Sequence, residues 1–64
     1  MRATFQFPAE DKYAEFEREL RARGILSRNP WWPQPHNFAI RIFVTEDDLP
    51  TMSEIAARLD GKKL

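Results

Sequence analysis

The chain of 64 residues has room for one domain, and a chain this short buries only about 60% of the surface that its unfolded form exposes. Cysteine is absent and His36 is the only histidine, which excludes disulfides, thiolate metal sites and an imidazole-rich zinc site within one chain. Ten basic and ten acidic residues cancel, so the chain lacks the strong net positive field of a non-specific nucleic-acid binder. We therefore expect one α+β domain, residues 1–64, that needs no cofactor and gains stability from a partner or a second copy.

The sequence also predicts a cytoplasmic protein. Residues 1–12 contain no apolar segment of the kind found in signal peptides. The longest run rich in apolar residues, 38–44, is interrupted by Arg41 and is far too short to span a bilayer.

The first predicted element is a strand over residues 2–7, in which apolar and polar side chains alternate. The apolar side is Ala3, Phe5 and Phe7, and the polar side is Arg2, Thr4 and Gln6. Pro8 ends this strand and suits the first turn of a helix.

A helix is predicted over residues 9–23, because apolar residues recur there at helical spacing. They are Ala9, Tyr13, Phe16 and Leu20. Acidic residues near the start and arginines near the end suit the helix dipole. Gly24 supplies the left-handed residue that ends the helix.

The middle of the chain is harder to assign. Residues 25–32 form a weaker strand candidate, and the turn-forming residues of 29–37 predict a long hairpin connection. Alternation over 38–44 predicts a clear strand. A second helix is predicted to begin near Asp48 or Leu49, with Pro50 in its first turn. Its apolar stripe is Met52, Ile55, Ala56 and Leu59, and Gly61 ends it.

This element order predicts a small β-α-β-β-α domain, which is a ferredoxin-like unit without its last strand. Three strands in the order 1-3-2 would carry two helices on one face. The strand at residues 2–7 would then be an unpaired edge, to which another chain could add a strand. The other sheet face, with Thr4, Gln6, Arg41 and Phe43, would be uncovered.

The pair Trp31-Trp32 is the most informative local feature. Adjacent side chains of an extended backbone point to opposite faces, so only one of the two can enter the core. The other is expected to lie over the loop as a lid or to anchor a partner at the surface. The prolines at positions 30 and 33 also fit a polyproline ligand, although a structural loop is the simpler interpretation.

These features predict a non-enzymatic protein that binds another protein, or itself, through the edge strand and the tryptophan hairpin. Free-standing domains of this size often serve as inhibitors, antitoxins, accessory regulators, or proteins of phages and mobile elements. The alternative is a module for single-stranded nucleic acid, because basic and aromatic groups surround the hairpin and the open sheet face. The strand at 38–44 lacks the glycine-aromatic signature of RNA-recognition motifs. The candidate contact residues are Arg2, Thr4, Gln6, Arg28, Trp31, Trp32, His36, Arg41 and Phe43.

No catalytic or metal-binding residue is predicted. The acidic run at 46–48 could hold a magnesium ion, but helix capping explains it more simply. His36 forms no local catalytic pattern with a serine. An enzyme would require an oligomer that assembles a site between chains.

Overall fold

The computed structural model describes the backbone of residues 1–64 and every side chain except that of Pro35. The elements in chain order are β1 (Arg2–Gln6), α1 (Glu10–Ala22), α2 (Ile25–Arg28), β2 (Trp31–Gln34), a 3-10 turn (Pro35–Asn37), β3 (Ala39–Phe43), α3 (Leu49–Arg58) and β4 (Lys62–Lys63). Within this described part of the chain, no helix has the length and apolar character that crossing a membrane requires.

The four strands form one antiparallel sheet in the order β2-β3-β1-β4. The α+β class predicted from the sequence is confirmed, whereas the three-stranded sheet in the order 1-3-2 is wrong. The expected neighbours β1, β3 and β2 lie side by side, but β4 adds a fourth strand next to β1. The sheet therefore has the strand order of a complete ferredoxin-like unit.

The fourth strand makes β1 an internal strand, so the prediction of a free edge at residues 2–7 is wrong. Lys62 pairs with Gln6 and Lys63 with Phe5, and the Leu64 N–H donates to the Thr4 carbonyl oxygen at 2.8 Å. The sequence concealed this strand because two lysines after a glycine resemble a solvated tail. Main-chain hydrogen bonds, which need no apolar side chains, hold β4 in place.

The first part of the strand predicted over residues 25–32 is helical. Ile25 and Leu26 are both buried, at 1% and 7% exposure, which one turn of helix permits and strand alternation does not. Gly24, with a φ of 75°, turns the chain between α1 and α2. β2 begins only at Trp31 and occupies part of the predicted loop.

Strand β3 begins one residue later than predicted, because Phe38 has a left-handed backbone with a φ of 49°. This conformation is strained for an aromatic residue. The Phe38 side chain packs against the core, and its carbonyl oxygen accepts a hydrogen bond from the Phe7 N–H at 3.0 Å. Packing on one side and pairing on the other hold the strained residue.

The core lies between the sheet and the helices on one of its faces. The Phe16 ring on α1 is centred 5.6 Å from that of Phe5 and 4.6 Å from that of Phe7. The buried apolar residues are Ala3, Phe5, Phe7, Phe16, Leu20, Ile25, Leu26, Ala39, Ile40, Ile42, Val44, Met52, Ile55 and Ala56. Tyr13 and Leu59, which the predicted stripes also contain, are only partly buried at the margin of this cluster.

The end of α3 is closed by a Schellman motif. The Gly61 N–H donates to the Ala56 carbonyl oxygen at 2.8 Å, and the Asp60 N–H donates to that of Ala57 at 3.3 Å. Asp60 takes the left-handed position with a φ of 62°. A Cβ on Gly61 would lie 2.4 Å from Cε2 of Phe7, so only glycine lets the chain pass this ring into β4.

We predict that Gly61→Ala destabilises the domain by about 1–3 kcal/mol, the usual cost of overpacking a tight contact. Asp60→Gly should instead leave stability equal or slightly higher, because glycine adopts the left-handed conformation without strain. Thermal melts of both variants beside the parent test this. A Gly61→Ala protein that melts like the parent would show that the chain does not need this close approach to Phe7.

Candidate functional site

One face of the sheet carries no helix, and the strand register defines its residues. We call this surface the open face. It consists of Arg2, Thr4, Gln6, Trp32, Gln34, Ala39, Arg41, Phe43 and Lys62. Alternation places these residues opposite the core-facing side chains of the same strands.

Two aromatic rings stand next to each other on the open face. Trp32 is 49% exposed and Phe43 is 46% exposed, and their rings meet edge to face with centroids 5.7 Å apart. Trp31 points the other way and packs against the core, with the Arg21 guanidinium 6.0 Å from its ring centroid. The structure thus places Trp32 at the surface and Trp31 partly buried against the core.

The charged residues of the open face are all basic. In the register, Arg2 lies opposite Phe43, and Arg41 lies between Trp32 on one side and Thr4 on the other. Lys62 lies beside Gln6. Since none of the open-face residues has an acidic side chain, these cations give it a local positive charge although the whole chain is neutral.

Neither edge of the sheet offers a full ladder to another strand. The Phe43 N–H donates to the Pro30 carbonyl oxygen at 2.9 Å, so antiparallel alternation directs the backbone of Trp31 and Pro33 away from β3. Proline has no N–H, and Pro33 therefore removes a donor from this edge. The sequence predicted that a partner would dock on β1 as a free edge strand, but β4 occupies that side of β1.

Two of the predicted contact residues lie away from the open face. Arg28 is the last residue of α2, and its guanidinium donates two hydrogen bonds of 2.8 Å to the Asp48 carboxylate. His36 is exposed in the 3-10 turn that follows β2. Both residues are close to the tryptophans in sequence, and the prediction that they share one surface with them is wrong.

Asp48 is the centre of a buried polar network that secures the chain before β2. It also accepts 2.9 Å from the Asn29 side-chain amide, which in turn donates 2.8 Å to the Ile25 carbonyl oxygen. Asn29 is 3% exposed and Asp48 is 8% exposed. Helix capping by the Asp48 side chain, as the sequence suggested, is wrong, because its carboxylate makes no cap hydrogen bond.

The hydrogen bonds from Arg28, and next those from Asn29, lower the pKa of Asp48 from 3.8 to about 2. A carboxylate whose pKa is lower in the folded state stabilises the fold at pH values above its unfolded pKa. That stabilisation is lost as the pH falls through the folded-state pKa. The stabilisation is therefore present above about pH 4 and disappears toward pH 2.

We predict that Asp48→Asn lowers the free energy of unfolding at pH 7 by roughly 2 kcal/mol, the equivalent of this pKa difference. The gap between parent and variant should close as the pH falls from about 4 to 2. Urea unfolding across this range measures it. Asp47→Asn, which removes a charge from the same loop at an exposed position, should keep the parent's pH profile. A gap that stays constant with pH would contradict the pairing of Asp48 with Arg28.

Replacing each tryptophan by alanine should have a different effect on the stability of the domain. Trp31→Ala removes a ring packed on the core and should cost about 2 kcal/mol or more, which lowers the melting temperature by roughly 10 °C. Trp32→Ala should leave the melting temperature within a few degrees. Melts of both single variants test this, and equal losses would mean that Trp32 is a structural residue.

A groove of about 290 Å³ opens beside the open face and is lined by Gln6, Phe7, Pro8, Asp60 and Lys62. We call it the end groove. Gln6 and Lys62 belong to both surfaces, so the end groove continues the open face beyond β1 and β4.

A second groove of about 360 Å³ lies on the helical side, lined by Glu10, Tyr13, Ala14, Glu17 and Phe38. Burial, and next the charge of Glu17, raises the pKa of Tyr13 to about 12. The phenol therefore stays protonated at neutral pH. Among the side chains that the structure describes, no group of three or more His, Cys, Asp or Glu residues is arranged to hold a metal ion.

Comparison with known proteins gives no relative: no protein-family model, curated protein or solved structure matches the chain. The site therefore rests on geometry. Six of the open-face residues are among the contact residues predicted from the sequence, and they are Arg2, Thr4, Gln6, Trp32, Arg41 and Phe43. Lys62 and Gln34 were not predicted. A complete ferredoxin-like unit has a last strand, and this expectation was the signal that could have revealed Lys62.

Proposed function

We propose that this protein is a non-enzymatic binding module that holds single-stranded nucleic acid on its open face. The observation that carries the proposal is the coincidence of exposed Trp32 and Phe43 with basic side chains, and with no carboxylate, on one uncovered sheet face. Bases stack on aromatic rings with little regard for sequence, and cations neutralise the phosphates between them.

The spacing of the open face suits an extended strand. Arg41 lies next to Trp32 in the ladder, and Arg2 next to Phe43, so each aromatic ring has a cation beside it. Lys62 continues the positive charge two strands away. A ligand in which flat bases alternate with anionic phosphates matches this pattern more closely than a ligand that is only aromatic or only anionic.

The zero net charge of the chain limits the affinity that we expect for nucleic acid. Without a net positive field the protein gains little long-range attraction for polyanions, so binding depends on the local cations and on stacking. Three phosphate contacts on a single strand give a salt slope of roughly −2. Affinity should therefore fall roughly 15-fold between 50 and 200 mM salt.

A protein partner or a second copy on the same face is the second candidate, because exposed tryptophan also anchors protein interfaces. The sheet edges support it less than the sequence suggested, since β4 pairs with β1 and Pro33 lies on the β2 edge. The cytoplasm stays the predicted compartment for either activity.

The test is fluorescence anisotropy with labelled dT12 and rU12, together with quenching of tryptophan emission. We predict binding with the salt dependence given above. Trp32→Ala should weaken binding by about 1–3 kcal/mol, the usual value of one stacked base. Lys62→Ala should weaken it and reduce the salt slope by about one phosphate contact.

The chain supplies matched controls for these variants. Lys63 is adjacent to Lys62 but lies opposite Phe5, on the other side of the sheet, so Lys63→Ala should bind like the parent. Arg41→Ala should weaken binding in the same way as Lys62→Ala, whereas Arg18→Ala, at an exposed position on α1, should bind like the parent. Equal losses in Lys62→Ala and Lys63→Ala would contradict a site on the open face.

Absence of binding to both oligonucleotides at 50 mM salt would overturn the proposal. Sedimentation equilibrium then distinguishes what covers the open face. A concentration-dependent dimer that Trp32→Ala dissociates would identify the occupant as a second copy of the chain.

A further inference from the structure

The end groove lies where a strand on the open face would end, and its polar groups differ from those of the face. Gln6 and Lys62 line both surfaces. Phe7 and Pro8 form an apolar wall. Asp60 adds the only carboxylate among the residues of the end groove and the open face. A ligand that enters this groove therefore meets an acceptor that the rest of the surface lacks.

The Asp60 carboxylate is positioned by backbone and remains available. The Schellman hydrogen bonds that end α3 fix its main chain, and the next residue, Gly61, lies against the Phe7 ring. Its side chain is 73% exposed, and the one salt bridge, to Lys12, is long at 3.9 Å. An exposed pair of this length contributes less than about 1 kcal/mol, so a ligand can replace Lys12 at little cost.

From this arrangement, and resting on the proposed function, we propose that the end groove takes a guanine base at one end of the bound strand. Its volume of about 290 Å³ is at the lower limit for ligand pockets and suits one base. Guanine presents two adjacent N–H donors on its pairing edge, which match the two oxygens of the Asp60 carboxylate. The neighbouring guanine oxygen accepts from the Lys62 ammonium group.

The other bases fit this donor and acceptor set less well. Thymine and uracil place two carbonyl oxygens around a single N–H, so an oxygen would face the carboxylate. Adenine and cytosine each offer one amino group and have a ring nitrogen acceptor next to it. The end groove therefore adds a preference for guanine to an open face that stacks any base.

The first experiment titrates the isotopically labelled protein with GMP and with UMP and follows the backbone amide signals by NMR. GMP should shift the signals of Gly61 and Lys62, and UMP should shift them far less. Equal shifts, or none with either nucleotide, would overturn the guanine assignment. This measurement needs no polymer and stays decisive even if dT12 fails to bind, which would count against the proposed function alone.

The second experiment compares dT12 with dT11 carrying one guanosine at the 5′ end or at the 3′ end. One of the two should bind roughly 5- to 150-fold more tightly than dT12, the range that one good bidentate pair provides. Asp60→Asn should abolish this preference and leave dT12 affinity within about twofold. Asp47→Asn, an exposed acidic residue before α3, should keep the preference. A preference that survives Asp60→Asn, with an unchanged thermal melt, would place guanine recognition elsewhere.

Discussion

The ladder between β1 and β3 is the constraint on which the rest of the molecule depends. Its register, from Arg2 opposite Phe43 to Gln6 opposite Ala39, sends Phe5 and Ile40 into the core together. A shift of one residue would exchange the two faces, burying Arg41 and exposing Ile42. The same pairing that fills the core therefore assembles the open face, so fold and candidate site cannot change independently.

The helices of the domain cover one face of the sheet. Helices α1 and α3 have 13 and 10 residues, enough to cover one side of a small sheet, and α2 fills the gap beside them with a single turn. Glu19 on α1 joins the two longer helices by accepting from Arg58 of α3 at 3.2 Å, and it also accepts from Arg23 at the end of its own helix at 3.0 Å. The other face carries exposed polar and aromatic side chains instead.

Much of this architecture could be predicted from periodicity alone. Alternation over residues 2–7 and 38–44 identified both central strands, and the stripe through Phe16 and Leu20 identified α1. The same alternation showed that the side chains of Trp31 and Trp32 must point to opposite faces, although only the register with β3 shows which of them is exposed. Predictions of this kind succeed where one face of a helix or strand is buried and the other is exposed to solvent.

The errors have a common cause, which is that hydrogen bonds between residues far apart in sequence leave little trace in side-chain patterns. β4 consists of two lysines, and its pairing to β1 uses backbone groups that any residue possesses. The network of Asn29 and Asp48 was missed because its partners are 19 residues apart and each looked like ordinary turn chemistry. Lys62 became part of the site only through its long-range pairing with Gln6, and Gln34 only through the register of β2 with β3.

Pro33 has a consequence for the behaviour of the protein in solution. A neutral chain has weak charge repulsion between molecules, and exposed aromatic rings beside a sheet edge favour the stacking of strands into fibrils. Proline on the outward side of β2, with the Lys62–Lys63 strand at the opposite margin, interrupts edge-to-edge growth in both directions. These residues let the molecule expose aromatic rings on one face while they hinder polymerisation through its backbone.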